Sequence, residues 1–220
     1  MSQRVLITGG SRGIGQQIAA VMKERGYEVV LPGRQELNLE SVESIDKYFS
    51  SERNIDILVN NAGINFISPL PEIAVPQWSQ MLSVNLTAPM RLIQKVVPHM
   101  KKQGWGRILN ISSIFSNITR EGRASYSASK SGLNGLTRTA AVELGKYGIL
   151  VNAVCPGYVE TQLTHQNNSL ADIERIVKTI PLGRMAQPEE IAELAEFLCS
   201  TRNSYITGQM ITADGGFSIQ

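Results

Sequence analysis

Charge of one sign is what this 220-residue chain most lacks: 21 Lys and Arg against 19 Asp and Glu leave a formal +2. So small an excess, scattered rather than massed, excludes the basic stripe of a nucleic-acid binder. No apolar run approaches the roughly 20 residues that a membrane-spanning helix requires. The chain enters a strand pattern by residue 4 with no basic-then-apolar leader, which predicts a soluble, cytoplasmic protein with no membrane partner. Cysteine is scarce. Cys155 and Cys199 have neither metal nor redox spacing, which suits a reducing compartment. The two histidines, His99 and His165, show no ligand spacing, so no metal is expected. Repeats, linkers and low-complexity runs are absent as well, and the length predicts a single domain over 1–220.

What is present begins with a short apolar strand at 4–8, followed at once by Gly9-Gly-Ser-Arg-Gly-Ile-Gly15 and a helical pattern to Gly26. Strand, glycine turn and helix together suit a diphosphate. Glycines let the backbone approach it, and the helix amino end offers free N–H groups. A second strand at 28–31 ends in Pro32-Gly33-Arg34. An acidic residue there would grip a ribose 2′-hydroxyl; Arg34, with Arg12 in the glycine turn, favours a 2′-phosphate and hence NADP(H). Only residues 33–36 separate Pro32 from Leu37-Asn38-Leu39, too few for a helical crossover. No helix is therefore expected between strands two and three, and the third strand should be short or irregular. Residues 40–53 read as an amphipathic helix with Val42, Ile45, Tyr48 and Phe49 inward.

A strand at 55–60 ends in Asn60-Asn61-Ala62-Gly63, whose small residues and amides let a flat cofactor approach and bridge adjacent strands. Helix is expected over 76–103, with Asn85 in its middle, and a strand at 107–113 delivers Ser113. The next helix, about 124–147, carries Tyr126 and Lys130 four residues apart on one face. An ammonium beside a phenol would pull the tyrosine down from about 10 towards neutral pH. The Ser, Ala and Gly content of this helix (Ser127, Ala128, Ser131, Gly132, Gly135) permits close packing against its own domain or a second subunit. A strand at 149–154 leads into Cys155-Pro156-Gly157 and on through Val159 to Thr161. Residues 158–187 read as a substrate lid, polar and irregular over 164–186 apart from an amphipathic piece around 173–180. A helix from Pro188 to about 200 and a strand at 209–212 close the chain.

These features together resemble the short-chain dehydrogenase/reductase family across essentially the whole chain. The matching residues are Thr8-Gly-Gly-Ser-Arg-Gly-Ile-Gly15, Asn60-Asn-Ala-Gly63, Asn85, Ser113, Tyr126-x-x-x-Lys130 and Pro156-Gly157. The resemblance implies an α/β, doubly wound Rossmann-type parallel sheet of about seven strands. It assigns Asn85, Ser113, Tyr126 and Lys130 to catalysis. Asn85 interrupts its helix and holds a water in a proton relay, Ser113 orients the carbonyl, and Tyr126 exchanges the proton. Ser112 is the alternative serine, but the thirteen-residue step to Tyr126 matches Ser113. Gly9, Ser11, Arg12, Gly13, Ile14, Gly15, Arg34, Asn38, Leu39, Asn61, Ala62, Gly63, Tyr126, Lys130, Pro156, Gly157, Val159 and Thr161 are expected to hold the cofactor. Asn38 replaces the usual Asp, and its amide oxygen can still accept from an adenine amino group.

The likeness is closest to 3-oxoacyl-carrier-protein reductases, implying a small-molecule or thioester-linked carbonyl substrate, with acyl carrier protein as a candidate partner. Carrier docking would use basic residues near the ends of the two long helices. At those positions this chain has Gly104 and Tyr147, with Lys101, Lys102, Arg107 and Lys146 nearby. The alternative is an NADP(H)-dependent sugar, polyol or other secondary-alcohol dehydrogenase; more remote is a cofactor-binding regulator without turnover. Arg120 and Arg123 read as surface salt-bridging residues, with an anionic sugar or acid as their alternative partner. The family commonly forms homotetramers, and a homodimer is the smaller option.

Overall fold

Residues 2–51 and 53–220 are described by a computed structural model of the chain. Strands β1 (Arg4–Ile7), β2 (Glu28–Val30), β3 (Ile57–Asn60), β4 (Gly106–Ile111), β5 (Ile149–Pro156) and β6 (Met210–Ala213) pair in parallel. Their order across the sheet is β2-β1-β3-β4-β5-β6. Side chains alternate faces along each strand. Val5 and Ile7 of β1, with Ile57 and Val59 of β3, join a core under α1 (Gly13–Glu24) and α8 (Pro188–Cys199). Leu6 and Leu58 face the other way, into a core under α2 (Val42–Tyr48), α4 (Ala88–Gln103) and α5 (Ala124–Leu144). Both faces are covered, which is why the strands read as continuous apolar runs. Since β2 lies on one side of β1 and β3 on the other, a crevice opens where the carboxyl ends of β1 and β3 diverge.

Six strands form among the described residues, against the seven expected, and 37–39 is the piece that does not pair. After β2 the chain turns sharply, with the Glu36 and Leu37 N–H groups donating to the Gly33 carbonyl. That turn plugs Leu37, 4% exposed, into the α2/α4 core. Burying a leucine is worth about 2 kcal/mol, as much as two edge hydrogen bonds return, and so short a connection cannot have both. No helix links β2 to this segment, as its length required.

Other elements shift in ways the sheet explains. Helix α2 is shorter than the expected 40–53; the Ser41 hydroxyl caps it by accepting from Ser44 N at 3.1 Å, and Val42 faces solvent at 38% exposure. The expected helix over 76–103 comes as α3 (Val75–Leu82), a π-helical turn at Ser83–Thr87, and α4. Residues 164–186 are less irregular than anticipated. They contain most of α6 (Gln162–Asn167), capped by Thr161, and α7 (Leu170–Thr179), fixed by a Ser169/Asp172 capping box. Among the described residues no helix is long and apolar enough to cross a membrane.

Candidate active site

At the crevice, Gly9 adopts φ +65°, where a side chain is strained, and a Cβ there would lie 2.9 Å from the Ala62 backbone. A Cβ on Gly15 would lie 2.3 Å from Asn61 Nδ2 and 2.4 Å from the Gly9 carbonyl oxygen. These glycines leave room for Asn61 to clip β3 to the turn, Nδ2 donating to the Thr8 and Gly9 carbonyls at 2.9 and 3.0 Å. The Thr8 hydroxyl accepts from Asn61 N and Ala62 N, both at 3.1 Å. Helix α1 then starts with no side-chain cap and no acidic residue in its first turn. Its leading N–H groups and dipole face the crevice free of competition, so the residues present fit a dinucleotide diphosphate.

The crevice is a cleft of about 640 Å³, and every residue expected to contact the cofactor lines it, from Gly9 to Thr161. Ser113, Tyr126 and Lys130 line its inner end. Strand β4 stops two residues short of Ser113, which caps the turn that follows, its Oγ accepting from Phe115 N at 3.2 Å and interacting with the Tyr126 hydroxyl. Ser112 differs: its hydroxyl points at the Lys130 carbonyl, 3.4 Å away. Lys130, 3% exposed, donates from Nζ to the Ile111 carbonyl at 2.7 Å, and Nζ stands 5.7 Å from the centre of the Tyr126 ring.

The proton affinities correct one expectation. Tyr126 is raised, not lowered: loss of water around its hydroxyl outweighs the pull of Ser113 and of the Arg123 charge. Burial also drives Lys130 down, to about 8. With its ammonium aimed at a backbone carbonyl and both groups desolvated, the lysine does not by itself make the tyrosine acidic.

Asn85 is the one catalytic candidate outside the cleft lining. It sits in the π turn, 1% exposed, where its Oδ1 accepts from Ile64 N and its Nδ2 donates to Ile64 O, both at 2.9 Å. A third bond runs from Nδ2 to Ser129 Oγ at 3.1 Å. The side chain thus locks the 61–64 loop to α5. Gly63 lies against both partners: a Cβ there would be 3.4 Å from Asn85 Oδ1 and 3.6 Å from Lys130 Nζ.

Comparison with known proteins agrees with this geometry. The short chain dehydrogenase family model matches residues 3–52, and the Enoyl-(Acyl carrier protein) reductase model matches residues 41–218. The chain belongs to the short-chain dehydrogenase/reductase family. It is 39% identical to the 3-oxoacyl-[acyl-carrier-protein] reductase of Aquifex aeolicus, covering 96% of this chain and 95% of that one. Among solved structures, a 4-hydroxyisoleucine dehydrogenase complexed with NADH superposes with TM-score 0.94 at 28% identity, covering all of both chains. A gluconate 5-dehydrogenase from Burkholderia cenocepacia in complex with NADP and tartrate gives 0.88 at 29%, covering 100% of this chain and 97% of that one. This short-chain dehydrogenase/reductase is accordingly an oxidoreductase of a family that binds NAD or NADP.

Two cleft residues were not singled out from the sequence. Glu40, brought round by the turn at Gly33, holds Arg34 at 2.6 Å and accepts from Gln80 at 3.0 Å. A carboxylate therefore does stand beside the guanidinium expected to take a phosphate. Phe115 forms a platform at the inner end, edge-on to Tyr126 with ring centres 6.3 Å apart. Asn38 Oδ1 accepts from Glu40 N at 3.1 Å, and Arg12 reaches Gln162 at 3.4 Å.

Three basic residues depart from expectation. Neither Arg120 nor Arg123 forms a salt bridge among the described residues; Arg120 donates to Asn168 Oδ1 at 3.1 Å, while Arg123 is buried. Arg107 cannot meet an acidic carrier, because it is 5% exposed and donates to the Gly106 and Asn203 carbonyls. Lys101 and Lys146 flank the Tyr147 ring at 4.4 and 5.2 Å. Gly104 lies two residues before β4, so this basic cluster lies at the amino-terminal edge of the sheet, opposite the cleft.

Proposed function

We propose that this chain is an NADP(H)-dependent oxidoreductase that reduces a carbonyl to a secondary alcohol, with 3-oxoacyl thioesters of acyl carrier protein or coenzyme A as one candidate substrate class and carboxylate-bearing carbonyls as the other. The observation that carries the reading is the convergence of Ser113, Tyr126 and Lys130 at the inner end of the cleft whose outer end is the glycine turn. The thioester assignment draws on the Aquifex aeolicus relative. When bound, the nicotinamide supplies the hydride. Tyr126 gives its proton to the carbonyl oxygen, and its high proton affinity keeps it protonated for that purpose at neutral pH. Ser113 hydrogen-bonds the same oxygen and orients it. Lys130 holds the ribose hydroxyls, and the loop that Asn85 fixes supports a water relay that reprotonates Tyr126. Arg12 and Arg34 hold the 2′-phosphate. Residues 158–187 act as the lid, with Gln162, Leu163 and Thr164 of α6 over the cleft.

A second reading, a dehydrogenase of a hydroxy acid or sugar acid, is favoured by the buried Arg123 and by likeness to the gluconate 5-dehydrogenase. We also read α5 as a two-fold contact. Gly132 packs on Leu86 of its own chain, whereas Gly135 faces open space beside Val142, 83% exposed. Steady-state rates on acetoacetyl thioesters, keto acids and keto sugars with NADPH and NADH in parallel, and on polyols with NADP+ and NAD+, test the proposal. Fastest turnover of thioesters with NADPH supports the thioester class, fastest turnover of keto acids or sugars moves the assignment to the second reading, and no NADP(H)-dependent turnover anywhere contradicts both.

A further inference from the structure

Arg123 stands one helical turn before Tyr126, at the start of α5, and so on the same face. It lines the cleft at 3% exposure, yet its side chain makes no hydrogen bond and no ion pair among the described residues, and its Nε is fully buried without a partner. The guanidinium lies over the Phe115 ring, 5.4 Å from its centre. An aromatic face attracts the charge but accepts none of its N–H donors in ordinary hydrogen bonds, so those donors remain unused. Arg120 approaches the same platform, 5.8 Å from the Phe115 centre and 6.0 Å from that of Tyr158. Helix α5 adds a first turn with no side-chain cap and no acidic residue. A buried, unpaired cation is costly, and two guanidiniums side by side cost more. Burial and the Arg120 charge indeed lower the proton affinity of Arg123. The cofactor phosphates do not account for it, because Arg12 and Arg34 serve the glycine-turn end and Arg123 sits beside the proton donor.

We infer that Arg123, assisted by Arg120, is a specificity-determining anion subsite that binds a carboxylate carried by the substrate itself, so that the preferred substrates are oxo acids or their hydroxy-acid products. A carboxylate there would gain bidentate donors from Arg123. It would also hold the molecule by the end away from the reacting carbon, presenting that carbon to Ser113 and Tyr126. A neutral thioester leaves the cation uncompensated.

This inference rests on the reductase reading, and two measurements keep their failures apart. Calorimetric titration of the NADPH-loaded enzyme compares malonate with malonamide, which has the same shape without the charge. Malonate should bind wild type more tightly than malonamide, and Arg123→Gln should weaken malonate by about 10- to 100-fold. Arg123→Lys, which keeps the charge but not the fork, should fall between and serves if the glutamine variant does not fold. In turnover, acetoacetate, levulinate and 5-ketogluconate are each compared with their primary amides. The acid-to-amide ratio of kcat/KM should drop in Arg123→Gln by the same factor, mainly through KM. Charge-selective malonate binding without turnover of any oxo acid would sink the reductase reading and leave the subsite standing. Turnover with no preference for acids, or malonate binding indifferent to Arg123→Gln in a variant that still binds NADPH, overturns the subsite.

Discussion

Lys130 should make the cofactor-free protein more stable as the solution becomes more alkaline, whereas an exposed lysine with an unshifted pKa would add no pH dependence. Burial moves its pKa in the folded chain from 10.5 down to about 8, and the 2.7 Å bond to the Ile111 carbonyl does not make good the lost hydration. Below pH 8 the lysine is charged in both states, so the folded state carries the whole penalty. As the pH rises through 8 the folded form releases its proton while the unfolded chain keeps its own until 10.5, and the penalty fades. Each unit of displacement is worth about 1.4 kcal/mol, so between pH 7 and 10 this group should add about 2 kcal/mol of stability. Other lysines and the tyrosines also titrate in that window, so the quantity to read is a difference. Urea unfolding of wild type and Lys130→Met is followed at pH 7, 8.5 and 10, and the wild-type stability minus that of the variant should climb by that amount. A flat difference would refute the claim that Lys130 is desolvated at the mouth of β4. Saturating NADPH should flatten it, because ribose hydroxyls solvate the ammonium again.

Gly15→Ala should weaken NADPH binding by about 10- to 100-fold, since a Cβ 2.3 Å from Asn61 Nδ2 must break the clip that shapes the turn; fluorescence titration checks it. Arg34→Ala should weaken NADPH about 10-fold more than NADH, and Glu40→Gln, which releases Arg34 from its 2.6 Å pair, should shift preference the opposite way. Parallel losses of both cofactors in Arg34→Ala would remove Arg34 from the phosphate. Asn85→Ala should cost about 1–3 kcal/mol in urea unfolding, because the half-buried Ile64 N–H and carbonyl lose their partners. Unchanged stability would mean that Asn85 does not hold the 61–64 loop.

Most of the frame was legible because it depends on short stretches. The glycine turn, the apolar strands and the Tyr126/Lys130 spacing are local patterns with one geometric outcome, and the sheet follows from their order. What stayed hidden depends on distant pieces meeting. Arg123 looks like a surface residue until Phe115, in the turn after β4, packs against it with Tyr158 edge-on to that ring. Glu40 reaches Arg34 only because burying Leu37 bends the chain back; the same turn removed the seventh strand. Proton affinities were harder still. Spacing puts an ammonium near the Tyr126 phenol, but their sign depends on desolvation, which no spacing records. Asn85 was located by resemblance, whereas its grip on Ile64 and Ser129 emerges only from coordinates.

The most direct test of the central claim follows a labelled hydride. NADPH carrying deuterium at the transferring position is incubated with an accepted carbonyl substrate, and the product is read by mass spectrometry and NMR. Wild type should place the deuterium on the carbinol carbon, and Tyr126→Phe should still bind NADPH while transfer falls by about 100-fold or more. Deuterium transfer at the wild-type rate in Tyr126→Phe would contradict the assignment of the proton to Tyr126.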